Sequence, residues 1–274
     1  MPEALAGADL YEVLRRHVEV GHRRVAFETP EPVRGSSGLL AERALVSMVE
    51  NLSVAVSEIV GYGSWPLVVG GDCSVLLGAL LGTRLSGLVV GLLFVDGHED
   101  AWPPQVSTTG ETADCELGIA LGWHPPPEPL KEHGPLINGD DVVVVGPRDR
   151  AELADASVAS IGDRVQMITG DELTHSDVSS LAADAAVQLR GRTSQWWLHI
   201  DLDVLATEAL PAVDYLQPGG LSWTQLHDLT VAALSQGGCV GASVVIYNPD
   251  LDDRASAGRI VRYIERLITT LHAA

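Results

Sequence analysis

Three short stretches of the chain carry side chains able to bind a cation and activate water: Gly70-Gly71-Asp72-Cys73-Ser74, Asp96-Gly97-His98-Glu99-Asp100 and Asp201-Leu202-Asp203. In extended chain, alternate side chains share a face. Asp96, His98 and Asp100 are therefore expected to converge while Glu99 points away, and Asp201 and Asp203 to converge with His199 one step earlier on their face. Carboxylates held this close raise one another's pKa and cannot all ionise without a counter-charge. One or two divalent cations would supply it, and two sharing bridging carboxylates would lower the pKa of a bound water and present hydroxide as a nucleophile. Oxygen ligands with an imidazole suit Mn2+, Fe2+ or Zn2+. Each motif alone has a plainer reading, as turn and capping carboxylates or a polar strand end. Their joint occurrence argues for a site.

The elements that must position these residues show as short, continuous apolar runs ending in small or acidic residues, the pattern of strands buried on both faces of a parallel sheet. Six such runs span residues 65–70, 88–95, 141–146, 164–168, 196–202 and 241–247. Helical periodicity covers 40–59, 173–189 and 224–234, the last preceded by Ser222 as a cap, with a further helix-like stretch at 10–18. Alternating strand and helix predicts one α/β domain over residues 1–274, a sandwich with helices on both faces of its sheet. Ligands of open parallel sheets bind at the carboxyl ends of strands, where the three acidic segments fall. The Pro-rich stretch 124–129 reads as a surface excursion, because strands resume soon after it.

Composition narrows the function classes. With 17 Lys and Arg against 37 Asp and Glu, the formal charge of −20 opposes a phosphate backbone and excludes a nucleic-acid partner. A 46% hydrophobic content supplies a core. Three cysteines at wide spacings do not form a disulfide framework, which places the chain in a reducing cytoplasm. The first residues have no basic stretch ahead of a long apolar run, so no signal peptide is expected, and no uninterrupted apolar stretch suggests a membrane partner.

In their order and spacing the three segments resemble the ureohydrolase (arginase, agmatinase and formiminoglutamase) family. Its usual motifs are Gly-Gly-Asp-His-Ser, Asp-Ala-His-x-Asp and a strand ending in Asp-x-Asp. Further matches are Val145-Gly146-Pro147-Arg148-Asp149, Pro218-Gly219-Gly220-Leu221-Ser222 and Asn248-Pro249, so the resemblance runs from about Trp65 to Pro249. It implies a three-layer αβα sandwich with a mostly parallel sheet, trimers or hexamers, and a small-molecule substrate whose guanidino or formimino group is hydrolysed at a binuclear manganese centre. It also places Cys73, Asp96, His98, Asp100, Asp201 and Asp203 at the metal-ligand positions, with Asp100 able to accept a hydrogen bond from the nucleophile.

The departures are specific. Cys73 stands where the family has a histidine, and a thiolate shifts preference toward Zn2+ or Fe2+. The family's proton-shuttling histidine has no counterpart near Ala113, which leaves Glu111 or Asp114 as replacement acid or base, Glu111 being preferred. Ile246 replaces a glutamate that in many members pairs with the guanidinium. Ala206 replaces a third aspartate, and Asp214, in a rewritten loop, is a possible contact for a cationic or hydroxylated substrate, as is Glu111. The family's first strand is missing or truncated, which would expose a sheet edge unless something covers it. Three functions fit: hydrolysis of a linear C–N bond in a guanidino, hydroxyguanidino, amidino or formimino compound by metal-bound hydroxide, a catalytically silent relative that binds metal or a small molecule, or an amide-cleaving, deacetylase-like metallohydrolase.

Overall fold

Runs of valine and leucine, which suit strands covered on both faces, form six strands: β1 Leu67–Val69, β2 Val90–Val95, β3 Val142–Val145, β4 Gln166–Ile168, β5 Gln195–Asp201 and β6 Cys239–Val245. The computed structural model describes residues 1–273. Every strand pairing is parallel, in the order β1-β6-β5-β2-β3-β4. Each expected strand is present: β1 to β4 are two to three residues shorter than expected, β2 and β4 at their first residues, whereas β5 and β6 keep their length but lie one and two residues earlier in the chain.

The helices are α1 Pro2–Gly7, α2 Leu10–Arg15, α3 Glu42–Gly61, α4 Val75–Leu85, α5 Glu116–Ala120, α6 Arg150–Asp155, α7 Gly170–His175, α8 Val178–Thr193, α9 Trp223–Leu234 and α10 Ala257–Ala273. Alternate residues of each strand feed opposite cores. Leu93, Val95, Val143, Val145, Leu198 and Ile200 pack with α1, α2, α8, α9 and α10, while Leu92, Phe94, Val142, Val144 and Trp197 pack with α3, α4 and α5. The result is the expected three-layer αβα sandwich.

Three differences from the sequence reading have local causes. The single helix expected over 173–189 is two, because Ser176 is extended and Asp177 caps α8 by accepting a hydrogen bond from Ser179 N, while Thr169 and Glu172 form a capping box for α7. Helix α4 shows no amphipathic period because Val75 through Thr83 are all buried. Helix α10 went unread, although Ile260, Ile264, Leu267 and Ile268 form a regular buried stripe. Ser222 does cap α9, in a second capping box with Gln225.

Among the described residues the segment before α3 holds two helices and no strand, which leaves β1 at one sheet edge. Helix α3 is long and apolar enough to cross a bilayer by length and composition, with a mean hydropathy of 1.4. Its buried face, Leu45, Met48, Val49, Leu52 and Val56, forms part of the core beside α4.

Trp197 on β5 faces Gly241 on β6, and a Cβ at Gly241 would lie 2.2 Å from Trp197 Cζ3. Gly241→Ala is therefore expected to destabilise the fold by about 1–3 kcal/mol through overpacking, read as a lower urea midpoint at an unchanged m-value.

Candidate metal centre

Strands β1, β2 and β5 end on the same side of the sheet, and the segments that follow them converge. Asp96 and Asp201 directly continue their strand lines, whereas Cys73 lies in the turn that opens α4. The convergence does not come from strand alternation, as the spacing had suggested. Asp96 Oδ1 accepts from His98 N at 2.8 Å, Asp201 Oδ1 accepts from Asp203 N at 2.6 Å at the start of a 3-10 turn, Leu202–Val204, and Asp100 has φ +43°. Tight turns, each closed by its own first carboxylate, thus aim the side chains at one another. Glu99 does point away, accepting from Ser160 Oγ at 2.7 Å and Ile161 N at 2.6 Å.

All six expected ligands meet. Cys73, Asp96, Asp100 and Asp201 offer ligand atoms within 4.8 Å of one another, as do Asp96, His98 and Asp203. Cys73 Sγ lies 2.7 Å from Asp201 Oδ2, and His98 Nδ1 lies 3.0 Å from Asp203 Oδ2. A third set joins Cys73 and Asp96 to His199 and Glu116. His199 is on the face expected of it. Glu116 was missed, and its only sequence signal is a lone charge in the apolar run Cys115-Glu116-Leu117-Gly118-Ile119-Ala120-Leu121.

The donor set fits a divalent cation on grounds internal to the structure. Among the described residues, Asp96 Oδ2, both oxygens of Glu116 and His199 Nε2 are buried without a hydrogen-bond partner, a costly state for polar atoms unless something satisfies them. Electrostatics agree. Burial, then the charge of Asp203, raises Asp96 to about 6. Burial and the neighbouring carboxylates push Asp100, Glu116 and Asp201 well above the ordinary carboxylate range. Burial works against the charged form of His98, yet its hydrogen bond and charge interaction with Asp203, helped by Asp96, carry it up to about 12. Asp203 is lowered, since the same pairing and the Gly97 N–H outweigh its burial. Burial lowers His199 to about 3, leaving a neutral imidazole. Carboxylates that resist ionising together are what a bound cation would relieve.

A sequence model of the arginase family matches residues 9–269. The chain belongs to the arginase family. It is 29% identical over 223 residues to an arginase of Bacillus caldovelox, spanning 81% of this chain and 74% of that relative. It is 26% identical over 235 residues to an N(omega)-hydroxy-L-arginine amidinohydrolase of Streptomyces lavendulae, spanning 85% and 78%. The structure of the Bacillus caldovelox arginase matches with a TM-score of 0.85 at 25% identity, covering 97% of this chain and 91% of that one. Arginase-family members are metal-dependent hydrolases of non-peptide C–N bonds in linear amidines, with a binuclear centre, and this chain is a hydrolase of that class with a buried cluster able to hold metal.

Around this arginase-family centre, two residues of the Gly-Pro-Arg-Asp strand end brace the ligand turns. Arg148 Nη2 donates to Asp203 O at 2.7 Å, and Asp149 Oδ2 accepts from Glu99 N at 3.1 Å. Gly97 stands where the family pattern has alanine. A Cβ there would lie 2.8 Å from Arg148 Nη1 and 2.9 Å from Asp203 Oδ1, so the two turns approach each other closely.

Glu111 and Asp214 are not in the metal cluster but lie near each other outside it. Glu111 is half-buried and accepts from Tyr215 Oη at 3.1 Å, and Asp214 is exposed and accepts from Asn248 Nδ2 at 2.8 Å. Burial raises Glu111, and Asp114, Asp72 and Asp214 raise it further against the Tyr215 hydrogen bond. Asp114 is engaged by Ser107 and Thr109 within its own loop, which leaves Glu111 as the freer acid. Ile246, at the position of the missing glutamate, has φ +75°, a strained conformation for a β-branched residue.

These shifts fix the pH dependence of the metal-free protein. Asp96 and Asp149, both raised to about 6, and Asp100, Glu116 and Asp201, raised well above the ordinary carboxylate range, keep protons that the unfolded chain releases near pH ~4. His98 keeps its proton above the ordinary imidazole range. Stability from these six groups falls as pH rises. His199 opposes them only up to about pH 6.5, and the gain from Asp203 is complete by about pH 4. The chelated protein is therefore expected to melt at progressively lower temperature from pH ~5 to ~8, and added divalent metal is expected to restore the midpoint most at the alkaline end. A flat profile in scanning calorimetry would contradict this assignment.

Proposed function

We propose that this protein hydrolyses a linear C–N bond in a guanidino, hydroxyguanidino, amidino or formimino compound. The observation that carries the reading is the convergence, within an arginase fold, of Cys73, Asp96, His98, Asp100, Asp201 and Asp203 around unsatisfied buried donor atoms. Two divalent cations would be held there, Mn2+ by the oxygen-rich set, with Zn2+ or Fe2+ competing where the Cys73 thiolate binds. When bound, such cations supply a nucleophile from water at neutral pH and polarise the reacting centre.

The chain's own residues supply the rest. Asp100 is buried among carboxylates that keep it protonated; with bound cations relieving that repulsion, it would accept a hydrogen bond from the attacking group and take up its proton. Glu111, raised by burial and steadied by Tyr215, gives a proton to the leaving amine in place of the absent histidine at Ala113. Asp214, held by Asn248, meets a cationic or hydroxylated group of the substrate. With Ile246 replacing a carboxylate, the substrate need not be an ordinary arginine-like guanidinium, and the Streptomyces lavendulae relative named for N(omega)-hydroxy-L-arginine supports hydroxyguanidines as the first compounds to try. The reading extends to a cytoplasmic homo-oligomer, a trimer or hexamer by family pattern, without nucleic-acid or membrane partners. Free thiols at Cys73, Cys115 and Cys239 support the reducing compartment.

The test is metal-reconstituted protein against a panel of such compounds, with release of urea, substituted urea, ammonia or formamide as the expected result. Asp100→Asn and Glu111→Gln should each lower kcat by roughly 10²–10⁴-fold. Acetate or another acid as sole product would point to an amide-cleaving enzyme instead. An inert parent that gains activity on Cys73→His would identify a silent relative.

A further inference from the structure

Two buried side chains outside the family's six-ligand pattern aim into the centre. Glu116 is the first residue of α5, fully buried, and among the described residues neither of its carboxylate oxygens has a hydrogen-bond partner. The side chain it meets is the Asp100 carboxyl, another acceptor unless protonated, and buried carboxylates are retained when paired or bound to metal. His199 is also fully buried. Its ring stacks on Phe94, with centroids 5.0 Å apart and planes 9° from parallel, and Nδ1 lies 2.7 Å from Ser243 Oγ. Ser243 Oγ also accepts from Trp197 Nε1 at 3.1 Å. An Nδ1–H donated to the hydroxyl's second lone pair leaves Nε2 bare, the arrangement in which an outer hydrogen bond orients a metal-ligating histidine.

Cys73, Asp96, Glu116 and His199 each offer one ligand atom, and all four lie within 4.8 Å of one another. A tetrahedral cation with bonds of about 2.0–2.3 Å holds its donors roughly 3.3–3.8 Å apart, so these side chains would draw in by at most about 1.5 Å on binding. We infer that these four residues form a site for a borderline-soft divalent cation, Zn2+ or Fe2+, with Glu116 and His199 as ligands beyond the expected set. One thiolate, one imidazole and two carboxylates from four separate elements complete a tetrahedral donor set. Cys73 and Asp96 also belong to the set with Asp100 and Asp201, so they stand between this inner site and the oxygen-rich one. The thiol at Cys73 then follows from its company, because sulfur beside His199 and Glu116 matches a softer ion than an all-oxygen neighbourhood would.

The inference rests on the metal reading of the centre, and the experiment separates the two. The intact protein is equilibrated with limiting Zn2+ and its metal content measured, and the Co2+-loaded form is examined for the sulfur-to-cobalt charge-transfer band and the intense visible bands of four-coordinate cobalt. Wild type is expected to show both. Glu116→Gln and His199→Gln are expected to weaken Zn2+ binding by at least roughly tenfold and to lose the four-coordinate bands while other cations still bind. Glu116→Leu guards against misfolding: if the carboxylate serves only metal, its metal-free form melts at or above the wild-type temperature while Zn2+ affinity falls. Unchanged content, affinity and cobalt spectrum in the Glu116 and His199 variants would overturn the inference while leaving the hydrolase reading intact. A wild type that binds no metal would overturn both.

Discussion

The enclosure of like charges governs this structure. Asp96, Asp100, Glu116, Asp201 and Asp203 share one buried volume where the parallel sheet presents its strand ends. Close-packed carboxylates in a poorly hydrated interior repel one another and resist ionisation. The surroundings limit this cost without removing it. Backbone N–H groups of Gly97, His98 and Asp203 point at carboxylate oxygens, and His98 pairs with Asp203. Arg148 clasps the carbonyl of Asp203, which holds one turn against the other. What these contacts leave unsatisfied is a set of atoms able to hold a cation.

The departures from the family pattern form a connected set. A thiol at Cys73 sits against an imidazole at His199 and a carboxylate at Glu116, so three atypical donors adjoin on one side of the cluster. On the outer side, histidine and glutamate are absent at Ala113 and Ile246, and a tyrosine–carboxylate pair, Tyr215 with Glu111, joins loops 104 residues apart. The strained backbone at Ile246 keeps an apolar, branched side chain where glycine would relax the chain. Such strain persists only where its surroundings enforce it, and the Ile246 N–H, which donates to Gly71 O at 2.9 Å in the segment that carries Cys73, is one such constraint.

How much was legible depended on whether the information is local. Strands such as β2 and β3, buried along their whole length, announce themselves as apolar runs, and Ser222 marked the start of α9 because a cap is a local device. Helix α4 hid because total burial erases the period that reveals a helix. The gap between α7 and α8 hid because two adjacent caps interrupt an otherwise continuous pattern. In the site, the six expected residues do converge, but not by strand alternation, since turns at Asp96 and Asp201 do that work. Glu116 could not be placed from spacing at all, because its neighbours in space, Asp96, Cys73 and His199, lie 20, 43 and 83 residues away in the chain.

That long-range construction has a kinetic consequence. Cys73 and Asp201 stand 128 residues apart, and β5, which delivers His199 and Asp201, is inserted between β6 and β2. Pairings of such high sequence separation form late in folding, so the cluster does not exist as a template while the chain collapses. The sandwich must close first, with protons on the carboxylates standing in for the cation. Metal loading would then be an exchange at a finished fold, in which an arriving ion displaces those protons. Which ion such a cluster takes would accordingly be decided by competition after folding, under the acidity and metal supply that the completed protein meets.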